Sequence, residues 1–155
     1  MRIDYHRHPE VVSAMRGVAR AASAGTLEPA LLELVKVRAS QLNHCAHCLE
    51  MHTKDARARG ESDDRLHLVA AWHETPVFTD RERAALRWCE ELTLLPERSV
   101  DDEIYEEVCA VFSEDEVCLL TLAIVAINGW NRFAVAFRAS VGDHVPRAPA
   151  GSERR

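Results

Sequence analysis

The sequence predicts an all-α fold, a compact domain of about six to seven helices. Three observations carry this expectation. Apolar residues recur three and four positions apart through most of the chain, and alternating strand patterns are missing. The six glycines fall mostly at the ends of the periodic segments. Two segments open with capping-box spacing, Thr79 with Glu82 and Ser113 with Glu116. In that arrangement a hydroxyl and a carboxylate three residues on each take an amide that the helix leaves unpaired.

Taken in order, Pro9 suits the first turn of a helix, where its missing amide has no intrahelical partner to lose. That helix runs through Glu10 to Ser23 and stops near Gly25. A second covers about Pro29 to Gln41, and Leu31, Leu34, Val35 and Leu42 give it a core face. Asn43 is the candidate N-cap of a third helix that reaches about Arg59, with Gly60 as its stop. A fourth spans Ser62 to Trp72 with Leu66, Val69 and Trp72 on one stripe, and Pro76 breaks the pattern in the loop that follows. The two capping boxes then open a helix after Thr79 and another after Ser113. Between them lies a helix with Ile104, Val108 and Val111 facing inward. The last helix is apolar all round from Leu119 to Ile127, which places it at the centre, with Gly129 as a candidate bend. One domain over residues 1–142 is expected. The prolines and charges of 143–155 leave little to bury, so that tail is expected to fray.

Composition narrows the function. The chain has 155 residues, 19 Lys plus Arg and 25 Asp plus Glu, for a net charge of −6. It has neither the basic footprint that nucleic-acid phosphates require nor a basic amphipathic stretch for an anionic membrane. The longest nearly unbroken apolar run, Val117 to Ile127, is shorter than the roughly 20 residues that cross a bilayer. The N-terminal residues 1–10 lack the apolar segment of a secretory signal. Five cysteines in such a chain point to a reducing cytoplasm. There a close pair serves catalysis or metal binding rather than as a structural staple.

The chemistry concentrates in residues 44–52, "HCAHCLEMH". On a helix Cys45, Cys48 and His52 share one stripe, continued by Ala56. Structural zinc would need ligands from a second segment, and Cys89, Cys109 and Cys118 have no Cys or His partner at knuckle spacing. These three sit amid apolar helix positions and read as small core residues. A redox role needs less. Two cysteines three positions apart at a helix start can form a small-loop disulfide. The first-turn amides favour a thiolate. An imidazole one turn on can take the thiol proton near neutral pH. Glu33, by periodicity alone, pairs with Lys36 on a solvated face. His44, His67, His73 and His144 read as surface or loop residues, and Trp72 and Phe78 as core.

The segment "ELVKVRASQLNHCAHCLEMHTKDARARGE" resembles the core motif of the alkylhydroperoxidase D (AhpD-like) family, within the carboxymuconolactone decarboxylase superfamily. That motif is a glutamate, eleven residues, then Cys-x-His-Cys-x-x-x-His; Glu33, Cys45, His47, Cys48 and His52 fall in place. Later segments, "WHETPVFTDRERAALRWCEELT" and "INGWNRFAVAFR", are also similar. The resemblance implies an all-helical fold, subunits that assemble as trimers or hexamers, and thiol-dependent reduction of hydroperoxides without metal, flavin or haem. It implies that Cys48 is the sulfenic-acid site, that Cys45 is the resolving thiol and proton donor, and that Glu33 and His52 form the activating proton relay. His47 would line the site. A lipoyl-bearing or other dithiol protein would reduce the oxidised pair. The helix dipole taken alone favours Cys45 as the more acidic thiol, so the two lines of reasoning disagree on which sulfur reacts first. The other expectations are a lactone decarboxylase, whose chemistry needs acid–base groups rather than a dithiol, and a non-enzymatic redox or metal-binding oligomer.

Overall fold

The computed structural model describes residues 1–146 apart from 96 and 98. Among them are seven α-helices and no strand: α1 (Pro9–Ala22), α2 (Pro29–Leu42), α3 (Ala46–Ala58), α4 (Asp63–Leu68), α5 (Asp80–Thr93), α6 (Asp102–Cys109) and α7 (Glu114–Phe137). Short 3₁₀ turns cover Tyr5–Arg7 and Val69–Glu74. The ends have local causes. Proline opens α1 and α2. Both capping boxes close as expected, at Thr79 with Glu82 and at Ser113 with Glu116. Gly60 follows α3 with φ +97°, a conformation that costs glycine nothing and other residues a steric clash.

Two boundaries differ from expectation. The fourth helix ends at Leu68 and tightens into the 3₁₀ turn, with a break at Ala71. Trp72 there joins a buried cluster with Leu34, Val69, Phe78 and Leu86, and its Nε1 donates to Glu90 Oε1 at 2.7 Å. Trp72 and Phe78 are therefore core residues. Asn43, expected to cap α3, closes α2 instead: its amide donates to Ala39 and Gln41 carbonyls. His44 follows with φ +53°, so the chain turns there and α3 starts two residues later.

Helix α7 is the axis of the molecule and packs against α1, α2, α3, α5 and α6. By length and composition alone it could cross a bilayer, but its Leu120, Ala123, Ile124 and Ile127 lie in the main buried cluster. Gly129 does not break it. A Cβ there would stand 2.7 Å from Met15 Cε, so this glycine admits the side chain of α1. The approach at Gly25 is tighter still: an added Cβ would lie 2.1 Å from Leu119 Cδ1. Gly25→Ala is therefore expected to lower stability by about 1–3 kcal/mol through overpacking, read as a lower midpoint in chemical denaturation.

The chain does not leave the body at residue 142. Gly142 donates its amide to Glu50 Oε2 at 2.8 Å, Lys54 Nζ donates to the His144 carbonyl at 3.0 Å, and His144 Nε2 meets Asp55 Oδ1 at 2.7 Å. Residues 140–144 thus lie as a strap along α3. Val145 beyond it is exposed, and 147–155 of the expected frayed tail 143–155 fall outside the described residues.

Candidate active site

The turn between α2 and α3 sets the site. Cys45 is the N-cap of α3, where its Sγ accepts the amide of Cys48 at 3.3 Å, and its own amide donates to the Ser40 carbonyl at 3.0 Å. The Cα atoms of Cys45 and Cys48 are 5.4 Å apart and their sulfurs are joined in a disulfide. Both cysteines are buried, as are His52 and Ala56 further along α3. A polar knot pins this turn to α7. Asn43 Nδ2 donates to Asn128 Oδ1 at 2.9 Å and to Asn131 Oδ1 at 3.0 Å, while Asn131 Nδ2 donates to Ser40 Oγ at 3.2 Å. Leaving the buried amide of Asn128 or Asn131 unpaired would cost about 1–3 kcal/mol, so the knot fixes the turn in one position.

Behind the pair, His52 Nδ1 meets Glu33 Oε2 at 2.9 Å and Lys36 Nζ meets Glu33 Oε1 at 2.9 Å. Glu33 is 4 % exposed, so the two roles weighed for it, partner of Lys36 and partner of His52, are both present in one buried carboxylate. Burial alone would push its carboxyl up. The hydrogen bond from His52 and the charges of Lys36 and of the imidazole outweigh it and hold the group at about 2, against an ordinary 4.5. An ionised carboxylate only accepts, so Nδ1 of His52 carries the hydrogen, and in the neutral ring Nε2 is the lone pair. His47 is bound in the same sense: its Nδ1 reaches the Ser140 carbonyl at 2.5 Å, so the strap fixes this ring too. Glu33, His52 and Asp55 place donor atoms within 4.8 Å of one another, as a metal would require. Lys36 and Arg59 already face Glu33, however, and His144 already meets Asp55.

Cys48, His47 and His52 open onto one cavity of about 260 Å³. Cys45 does not line it. The walls come from α1 and α7 as well as α3, through Ala19, Ala22, Met51, Ala126, Ile127 and Trp130, and Tyr5 closes one side against Trp130 and Phe133. Of the expected site residues, the structure brings Glu33, His47, Cys48 and His52 together and sets Cys45 directly behind Cys48. Sequence reasoning missed Tyr5, Arg16, Trp130 and the Asn43–Asn128–Asn131 knot. The available signal was two asparagines three apart, Asn128 and Asn131, following the apolar run that ends at Ile127.

The remaining cysteines divide. Cys89 is buried as expected, and burial pushes its thiol up to about 12. Cys109 and Cys118 were expected in the core and are exposed. Cys109 closes α6 at its outer end, and Cys118 lies two turns before exposed Val125 on the outward face of α7. Alkylation with iodoacetamide at pH 8 is expected to modify Cys109 and Cys118 but not Cys89, and Cys45 and Cys48 only after reduction; peptide mass spectrometry reads the pattern.

Known proteins are similar to the chain in sequence and in fold. The chain is 37% identical over 136 residues to YdfG of Bacillus subtilis (strain 168), an uncharacterized protein, covering 87% of this chain and 92% of the relative. A solved structure from Agrobacterium tumefaciens, of unknown function and suggested to be the antioxidant defence protein AhpD, superposes with TM-score 0.88 at 38% identity, covering 92% of this chain and 99% of that one. The alkylhydroperoxidase AhpD core of a peroxidase-related protein from Ralstonia eutropha JMP134 shares the fold, with TM-score 0.78 at 18% identity over 92% of this chain and 80% of that one. Residues 9–91, which hold α1 to α3 and the whole Glu33–Cys45–Cys48–His52 constellation, match the family model described as "Carboxymuconolactone decarboxylase family". The chain belongs to that family, as one of its AhpD-like members.

Proposed function

We propose that the chain is a thiol-dependent peroxidase of the alkylhydroperoxidase type, acting in antioxidant defence in the cytoplasm as a homo-oligomer, a trimer or hexamer. The observation that supports this most is the division of the pair. Cys48 lines the cavity beside two imidazoles, and Cys45 is bonded to it from behind. In the reduced chain His52, with Nδ1–H held by Glu33, takes the Cys48 proton on Nε2. The thiolate attacks the outer oxygen of a hydroperoxide, the O–O bond breaks, and the alkoxide recovers the proton as an alcohol. Cys48 is left as a sulfenic acid. Cys45 then attacks that sulfur, the S–S bond forms and water leaves. An external dithiol, such as a lipoyl-bearing protein, attacks Cys48 and expels Cys45 as a thiolate. The Cys48 amide that reaches Cys45 Sγ makes it the better leaving group. Closing the external disulfide completes the cycle: hydroperoxide plus dithiol gives alcohol, water and disulfide.

The test is consumption of an organic hydroperoxide coupled to a dihydrolipoyl protein, with one disulfide formed per hydroperoxide removed. No consumption by reduced protein would sink the peroxidase. Lactone decarboxylation that survives Cys45→Ser/Cys48→Ser would put a lyase in its place.

A further inference from the structure

We infer that the cavity takes an organic hydroperoxide bearing its own negative charge, a carboxylate on an apolar body, and that Arg16 is the partner of that charge; this rests on the peroxidase reading of Cys48. Size is the first argument. A water takes about 30 Å³ in the liquid, so a cavity of about 260 Å³ has far more room than hydrogen peroxide uses. The second is the wall, which is dominated by alanines with Met51, Ile127 and Trp130 and suits an apolar body. The third is sign. The chain carries −6, yet among the described residues no Asp or Glu lines the cavity, and two cations, Arg16 and Lys36, do. Lys36 is committed to Glu33. Arg16 forms no ion pair or hydrogen bond among the described residues through its guanidinium, and it also borders a neighbouring groove that holds Arg20 and His6. An unpaired guanidinium at the edge of an apolar chamber, in a protein of the opposite net charge, recognises an amphipathic anion.

The experiment has two arms. The first compares kcat/KM for cumene hydroperoxide and for its para-carboxylate, in wild type and in Arg16→Glu. The carboxylate is expected to be favoured by about tenfold in wild type, and the variant to reverse that ratio, as befits one charge-assisted contact. The second measures binding of octanoate and of 1-octanol to Cys45→Ser/Cys48→Ser by tryptophan fluorescence, with and without Arg16→Glu. Octanoate should bind better than octanol and lose that advantage with the arginine. Equal ratios in both proteins, or octanol bound as well as octanoate, would overturn the inference. Octanoate held through Arg16 with neither peroxide consumed would overturn the peroxidase and leave the anion site standing.

Discussion

Cys48→Ser is expected to abolish turnover, lowering kcat/KM for a hydroperoxide by about a thousandfold or more, while Cys45→Ser keeps the first half of the reaction. The expectation follows from the two sulfurs having different surroundings. Cys48 lines the cavity with His47 and His52, so a peroxide reaches it first. Cys45 does not line the cavity; it caps α3 and takes the Cys48 amide, which suits it to resolve the sulfenic acid and later to leave as a thiolate rather than to meet the peroxide. The helix dipole would make Cys45 the more acidic thiol, yet that advantage is only about 0.3–1 kcal/mol, and access and a neighbouring base count for more. In Cys45→Ser the sulfenic acid has no resolving partner, so one equivalent of peroxide should leave a dimedone adduct at Cys48. An adduct at Cys45 in the reciprocal variant, with turnover retained, would reverse the roles.

Most of the helical frame was legible because its signals are local. Pro9, Pro29, Gly60 and the two capping boxes act within a few residues of themselves, and each lies where the pattern put it. What failed was set by distant contacts. Asn43 looks like an N-cap in isolation, but its side chain is claimed by Asn128 and Asn131, 85 and 88 positions away. Cys118 lies in the largely apolar α7, where nothing in the sequence says which face looks outward, and Cys109 is the last residue of α6, one position past buried Val108. The cluster at 44–52 was legible as a cysteine pair with histidines. Its cavity was not, because Tyr5, Arg16 and Trp130 reach it from both ends of the chain. Nor was the strap that holds His47, whose Ser140 carbonyl carries no side-chain signature.

Glu33→Gln is expected to slow sulfenic-acid formation by about a hundredfold and to cost about 3 kcal/mol of stability at neutral pH. The amide can still accept Nδ1–H of His52, so the ring keeps its tautomer. What disappears is the negative charge that stabilises the imidazolium formed when Cys48 loses its proton, and that charge also balances Lys36. The stability arises because folding lowers the carboxyl from 4.5 to about 2. A group lowered on folding contributes in full above its unfolded value and loses that contribution as pH falls through its folded one. The gap between wild type and variant should therefore be constant above about pH 5, shrink between about 4.5 and 2, and vanish below, in urea denaturation followed across pH. Kinetics separates the two partners of Glu33. A loss of stability with an unchanged rate of Cys48 oxidation would make Glu33 only the counter-ion of Lys36. A slower rate restored by Glu33→Asp would show that the carboxylate acts through His52 on the sulfur.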